Sequence, residues 1–226
     1  MKDYIFILGR DPELSILELS TYLNSRKIAY KINKQKGAVA LISLEPQDFK
    51  SMIHRLGGTS KISEIIEDLD RIDLYRGKSL KIKYGISQYD ETDITDLKEY
   101  LKKRFREEKL KATLKKSKHK DEYLGPTEVI KQNLLTEGIE FIVFDGIIAK
   151  TIAVSNIMQY QERDKPSLRS ISIRLAKILI NLAGLPIGTI IDPAKVTISR
   201  EAKTLGYRTS GRPDAVISAP WLTDKD

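Results

Sequence analysis

The apolar positions of this chain change period several times, and each change marks an element. Tyr4-Ile5-Phe6-Ile7-Leu8 is a continuous apolar run ended by Gly9, the pattern of a buried strand. Asp11 then Pro12 predicts a helix start, an N-cap followed by a first-turn proline. Ile16, Leu17, Leu19 and Leu23 are expected to form its buried face. Residues 28–32 and 38–44 predict strands, with Lys36-Gly37 as the turn between them. Pro46 is expected to open a second helix, with Phe49, Met52, Ile53 and Leu56 at i, i+3, i+4 and i+7, and Gly57-Gly58 to stop it. Residues 62–66 predict a further strand.

The order β-α-β-β-α-β is the split pattern of a ferredoxin-like domain, expected over residues 1–68. A second unit begins near Asp70. Residues 80–84 alternate like a strand with one wet face. Asp93 is expected to cap a helix that buries Ile94, Leu97, Leu101 and Phe105. Thr127 is expected to cap a short helix carrying Val129, Ile130 and Leu134, with Gly138 ending it. Residues 139–144 and 147–154 predict two strands joined by Asp145-Gly146, a hairpin signal. Residues 158–169 lack periodicity and read as a linker. Ile171, Leu175, Ile178, Leu179 and Leu182 then have helical spacing, with Arg174 and Lys177 expected on the wet side.

Beyond that helix a Gly/Pro stop leads to a short apolar stretch, residues 187–191, that ends on Asp192-Pro193. In open α/β sheets ligands bind beyond the carboxyl ends of the strands, so Asp192 is a candidate ligand-facing residue. A nucleotide-like ligand needs a glycine turn next, where the backbone can come close. Ala194-Lys195-Val196 stands there instead.

Composition narrows the chemistry. The 226 residues include no cysteine, which excludes disulfides and thiolate–metal sites, and only two histidines, His54 and His119. No metal ligand is predicted. No apolar run approaches the roughly 20 residues of a membrane span, and Met1-Lys2-Asp3-Tyr4 lacks a signal-peptide layout, so a cytoplasmic protein is expected. The net charge is +8, and residues 98–120 alone hold eleven Lys or Arg against three Glu. Such concentration inside a folded unit favours a polyanion, most often nucleic acid, over a merely solvated face. Lys111, Lys115, Lys116, Lys118 and Lys120 are the candidate phosphate-binding residues.

Several segments, in order, resemble the archaeal THUMP-domain tRNA guanine-N2 methyltransferases, the family that modifies guanine 10 of tRNA. They are Tyr4–Gly9 with Pro12-Glu13-Leu14-Ser15 and Glu18; Arg55-Leu56-Gly57-Gly58-Thr59 with Lys61-Ile62; Lys83-Tyr84-Gly85-Ile86-Ser87; Lys150–Val154; Arg163-Asp164; Leu175-Ala176; Asn181-Leu182-Ala183-Gly184; and Asp192-Pro193. The resemblance implies an α/β chain with an α+β N-terminal half: a ferredoxin-like domain (1–68), a THUMP RNA-binding domain (69–156), a linker (157–170) and a partial Rossmann-like methyltransferase domain (171–226). It implies a grip on the tRNA acceptor region and its 3′ end. It further implies an S-adenosylmethionine site involving Asp192 and Pro193, and a base pocket at Pro220 and Trp221. The chain departs from the family where chemistry is expected. The glycines of the cofactor loop are missing after Pro193, the second strand with its ribose-binding acid is absent, and Ala219 replaces the acidic acceptor for the exocyclic amine. Trp221 can stack on a base or plug a small core.

Three readings follow. The first is a tRNA-binding protein of methyltransferase descent without independent catalysis. The second is an S-adenosylmethionine-dependent tRNA guanine-N2 methyltransferase that uses a deviant site or a partner chain completing the domain. The third is a degraded reading frame. No residue is assigned a catalytic role.

Overall fold

The computed structural model describes residues 1–74, 80–117, 122–156 and 172–183. Its strands are β1 (Lys2–Leu8), β2 (Tyr30–Lys36), β3 (Val39–Leu44), β4 (Thr59–Ile65), β5 (Lys81–Gln88), β6 (Lys111–Lys115), β7 (Gly138–Phe144) and β8 (Ile147–Val154). Its α-helices are α1 (Pro12–Ser25), α2 (Phe49–Arg55), α3 (Thr95–Glu107), α4 (Pro126–Lys131) and α5 (Ile173–Leu182). Among the described residues the strands form one mixed sheet, ordered β2-β3-β1-β4-β8-β7-β5-β6. The first half supplies an antiparallel β2-β3-β1-β4 group. The second supplies β5 between two parallel neighbours, β6 and β7. The antiparallel pairing of β4 with β8 makes the sheet continuous across the two halves.

Burial explains the order. Ile5, Phe6, Ile7 and Leu8 are buried on both faces of β1, as a continuous apolar run requires of a central strand. Phe6 and Leu8 face α1 and α2 in one core. Ile5 and Ile7 meet Ile142, Phe144 and Ala149 on the opposite, concave face. The sheet curls over that face far enough for Lys34 on edge strand β2 to ion-pair with Asp145 between β7 and β8. A second core, between α3 and β5–β7, holds Leu97, Leu101 and Phe105 against Tyr84 and Phe141.

Local chemistry shifted several expected boundaries. Asp11 caps α1 as expected, accepting from Leu14 N at 3.0 Å. Leu17, however, is exposed, and Glu18 occupies the buried stripe instead. Helix α2 begins at Phe49 rather than at Pro46, because Asp48 accepts from the amides of Lys50 and Ser51, both at 3.1 Å. The Asp93 carboxylate holds Thr95 through its amide and its hydroxyl. Thr127 lies inside α4, where Gly125 is the cap and its amide donates to Glu128 Oε2 at 2.8 Å. That helix ends at Lys131, before Asn133 at φ 57°, so Gly138 opens β7 instead of ending a helix. Asp145 and Gly146 form the expected hairpin turn, with φ of 56° and 73°. The basic run contains β6, a strand that the sequence pattern did not predict.

Candidate nucleic-acid interface

Of the five candidate lysines, Lys111, Lys115 and Lys116 are described, while Lys118 and Lys120 lie outside the described residues, as do Asp192, Pro193, Pro220 and Trp221. Lys111 opens β6 beside Lys81, and Lys115 closes it beside Gly85. Four steps along the strand separate them, about 13 Å. Ala112 and Leu114 turn toward the α3 core, so Lys111, Thr113 and Lys115 take the other face. Lys81 and Lys83 share that face through the parallel register. The lysine run therefore splits into an amino-end group and a carboxyl-end group.

The carboxyl-end group borders a groove of about 400 Å³ where β5 and β6 end and α3 begins. Lys98, from the first turns of α3, lines it together with Lys115 and Lys116. Gln88, Glu122 and Tyr123 add polar and aromatic lining, and Ile86, Ile94, Leu114 and Leu124 form the apolar lining. Three lysines against Glu122 leave the opening positive. The Tyr123 ring stacks on Tyr89, with centroids 5.0 Å apart and planes 15° from parallel, and remains 44% exposed. Burial, reinforced by Glu140, raises the Tyr89 phenol well above its ordinary value, so this inner ring stays neutral. Chemically the groove offers cations for phosphate and a braced aromatic face for a base. Sequence reasoning missed Lys98 and Tyr123. Lys98 lay within the counted basic window but on a helix, and no sequence signal joins Tyr123 to Tyr89.

A second polar cluster lies where α5 meets α1 and the turn after α2. The fully buried Glu18 carboxylate accepts from Gly57 N (2.8 Å), Gly58 N (2.7 Å) and Asn181 Nδ2 (2.6 Å). A Cβ on Gly57 would lie 2.1 Å from the Arg174 carbonyl oxygen, so only glycine lets α5 approach this closely. Lys177, expected on the wet side, is buried here and donates to the His54 carbonyl oxygen at 2.5 Å. The correction has a physical cause. Glu18 supplies an opposite charge for an inward lysine, and the His54 carbonyl oxygen supplies an acceptor. Leu179 is correspondingly exposed.

Burial lowers the Lys177 ammonium to about 8, against the attraction of Glu18 and with Arg174 adding repulsion. The folded chain thus releases this proton near pH 8, and the unfolded chain near 10.5. Between those values the unfolded state binds more protons, so this group makes stability rise with pH, by up to about 1.4 kcal/mol per unit. Below pH 8 it contributes no pH dependence. Melting temperatures of wild type and Lys177→Met from pH 7 to 10.5 check this. The wild type is expected to gain on the variant across the window, and a constant difference would refute the assignment.

Among the described residues there is no helix long and apolar enough to cross a membrane, and no group of three or more His, Asp or Glu that could hold a metal ion. No protein-family model matches the chain, and no curated protein sequence matches it. Among solved structures, PH1313 from Pyrococcus horikoshii Ot3 aligns at 12% identity and a TM-score of 0.41, over 67% of this chain and 54% of its own, so this chain spans about half the length of that neighbour.

Proposed function

We propose that this protein binds tRNA through the groove bordered by Lys98, Lys115, Lys116 and Tyr123, and that it has no independent methyltransferase activity. One observation carries the reading: Lys98 of α3, Lys115 at the end of β6 and Lys116 just after it line one groove with a braced, exposed aromatic ring where two parallel strands end. A solvated basic face needs no such grouping. The lysine-bearing face of β5 and β6 extends the positive surface along the sheet edge. In this reading residues 1–68 are a ferredoxin-like domain, 69–156 a THUMP domain and 171–226 a partial Rossmann-like domain. The tRNA acceptor end lies along the groove in a cytoplasmic protein. The departures at Ala194-Lys195-Val196 and Ala219 support loss of S-adenosylmethionine binding and of methyl transfer in the single chain.

The test has two arms on the purified chain. Unmodified tRNA is titrated and binding followed by fluorescence anisotropy; saturable binding is expected. S-adenosylmethionine is titrated calorimetrically with and without tRNA, and no micromolar binding is expected. Formation of N2-methylguanosine by the chain alone would replace this reading with the enzyme reading. Activity that appears only with a second protein would make the chain a subunit.

A further inference from the structure

Beneath the groove lies a buried polar network that the RNA-binding reading does not use. Lys61 on β4 and Glu140 on β7 form an ion pair on the concave face, with both side chains almost wholly inaccessible. Glu140 also accepts from Ser87 Oγ (2.5 Å) and Thr151 Oγ1 (2.7 Å). The far side of the network grips one residue. Lys61 Nζ donates to the Leu124 carbonyl oxygen at 2.5 Å, and the Leu124 amide donates to Ser87 Oγ at 2.9 Å. The Leu124 side chain sits directly over Gly85, where a Cβ would lie 2.4 Å from its Cδ1. The Gln88 amide holds Glu122 O at 2.9 Å. Tyr123 is thus suspended between two fixed neighbours.

A buried ion pair is weak support for stability, and its best-attested use is to specify one arrangement among several. We propose that Lys61 and Glu140 are positioning residues: by fixing Leu124 on both sides they hold Tyr123 over Tyr89 at the groove, and so set RNA affinity without touching RNA. This rests on the groove being the RNA site. It also makes β4, from the first half of the chain, a working part of a site lined by the second half.

The experiment compares full-length wild type with Glu140→Gln, Ser87→Ala and Tyr123→Ala, reading hydrogen exchange and tRNA affinity by anisotropy at fixed salt. Ser87→Ala keeps the ion pair and covers the case in which Glu140→Gln fails to fold. Both network variants are expected to lose exchange protection over residues 122–125, to keep it in β1 and β4, and to weaken tRNA binding about 10-fold, comparable to losing one base stack. Adding Tyr123→Ala to either variant should weaken binding no further than Tyr123→Ala alone. Unchanged protection at 122–125 overturns the proposal. Lost protection with unchanged affinity, or effects that add to those of Tyr123→Ala, also overturns it. A wild type that binds no tRNA removes the function reading, whereas the exchange data, taken without RNA, still decide whether the network holds the segment.

Discussion

Reversing charge at Lys98, Lys115 and Lys116 together is expected to weaken tRNA binding about 100-fold or more near 0.1 M salt. Each lost phosphate contact removes roughly 0.7–0.9 from the slope of log affinity against log salt, so three should remove about 2–3. The three side chains border one groove, so they can engage a single stretch of backbone. The control is Lys27→Glu, Lys31→Glu and Lys50→Glu, beside β2, on β2 and on α2, all in the first half of the chain and none of them lining the groove. It changes the net charge of +8 by the same amount. Its expected loss is under about 5-fold, the size of a long-range effect screened at this salt. Equal losses from the two triple variants would mean that binding follows net charge and not the groove. Lys111→Glu, at the far end of β6, should fall between them.

Replacing Lys61 by Met is expected to be the most destabilising single change in the described core. It leaves Glu140 fully buried, with only the Ser87 and Thr151 hydroxyls as donors. Breaking a buried ion pair from one side costs on the order of 3–5 kcal/mol. At about 2–4 °C per kcal/mol for a chain of this size, the melting temperature should fall by roughly 10 °C. Adding Glu140→Leu removes the stranded charge and should recover most of the loss. Affinity should behave differently. The double variant still lacks the donor to Leu124 O, so its tRNA binding should stay weak although its stability returns. Recovery of both together would show that the pair serves folding alone. A drop of only 1 or 2 °C for Lys61→Met would show that Glu140 is not held as a buried anion.

The elements with a strong local signal were legible in the sequence. The β1 run, the Asp11-Pro12 start, the i, i+3, i+4, i+7 stripe of α2 and the Asp145-Gly146 hairpin each depend on residues within about one turn or one strand. Errors at helix starts came from rival caps a few residues apart, as with Asp48 beyond Pro46 and Gly125 before Thr127. Strand β6 was hidden because alternating lysines at a sheet edge look the same as a solvated loop. Its strand character comes from pairing with β5, and lysine is itself a usual guard of an edge strand.

By itself the sequence determined the order of most elements, the lack of cysteine chemistry and the concentration of positive charge in one unit. Tertiary structure alone decided which charges work together. It separated Lys111 from Lys115, placed Lys98 on one groove with the latter, and stacked Tyr123 on a tyrosine 34 positions earlier. It also turned Lys61, Glu140, Glu18 and Lys177 inward, against every expectation for charged side chains. The reason is energetic. A buried charge is tolerable only where an opposite charge and fixed dipoles meet it. Those partners lie 79 positions away for Lys61, and 39, 40 and 163 positions away for Glu18, beyond the reach of any local pattern.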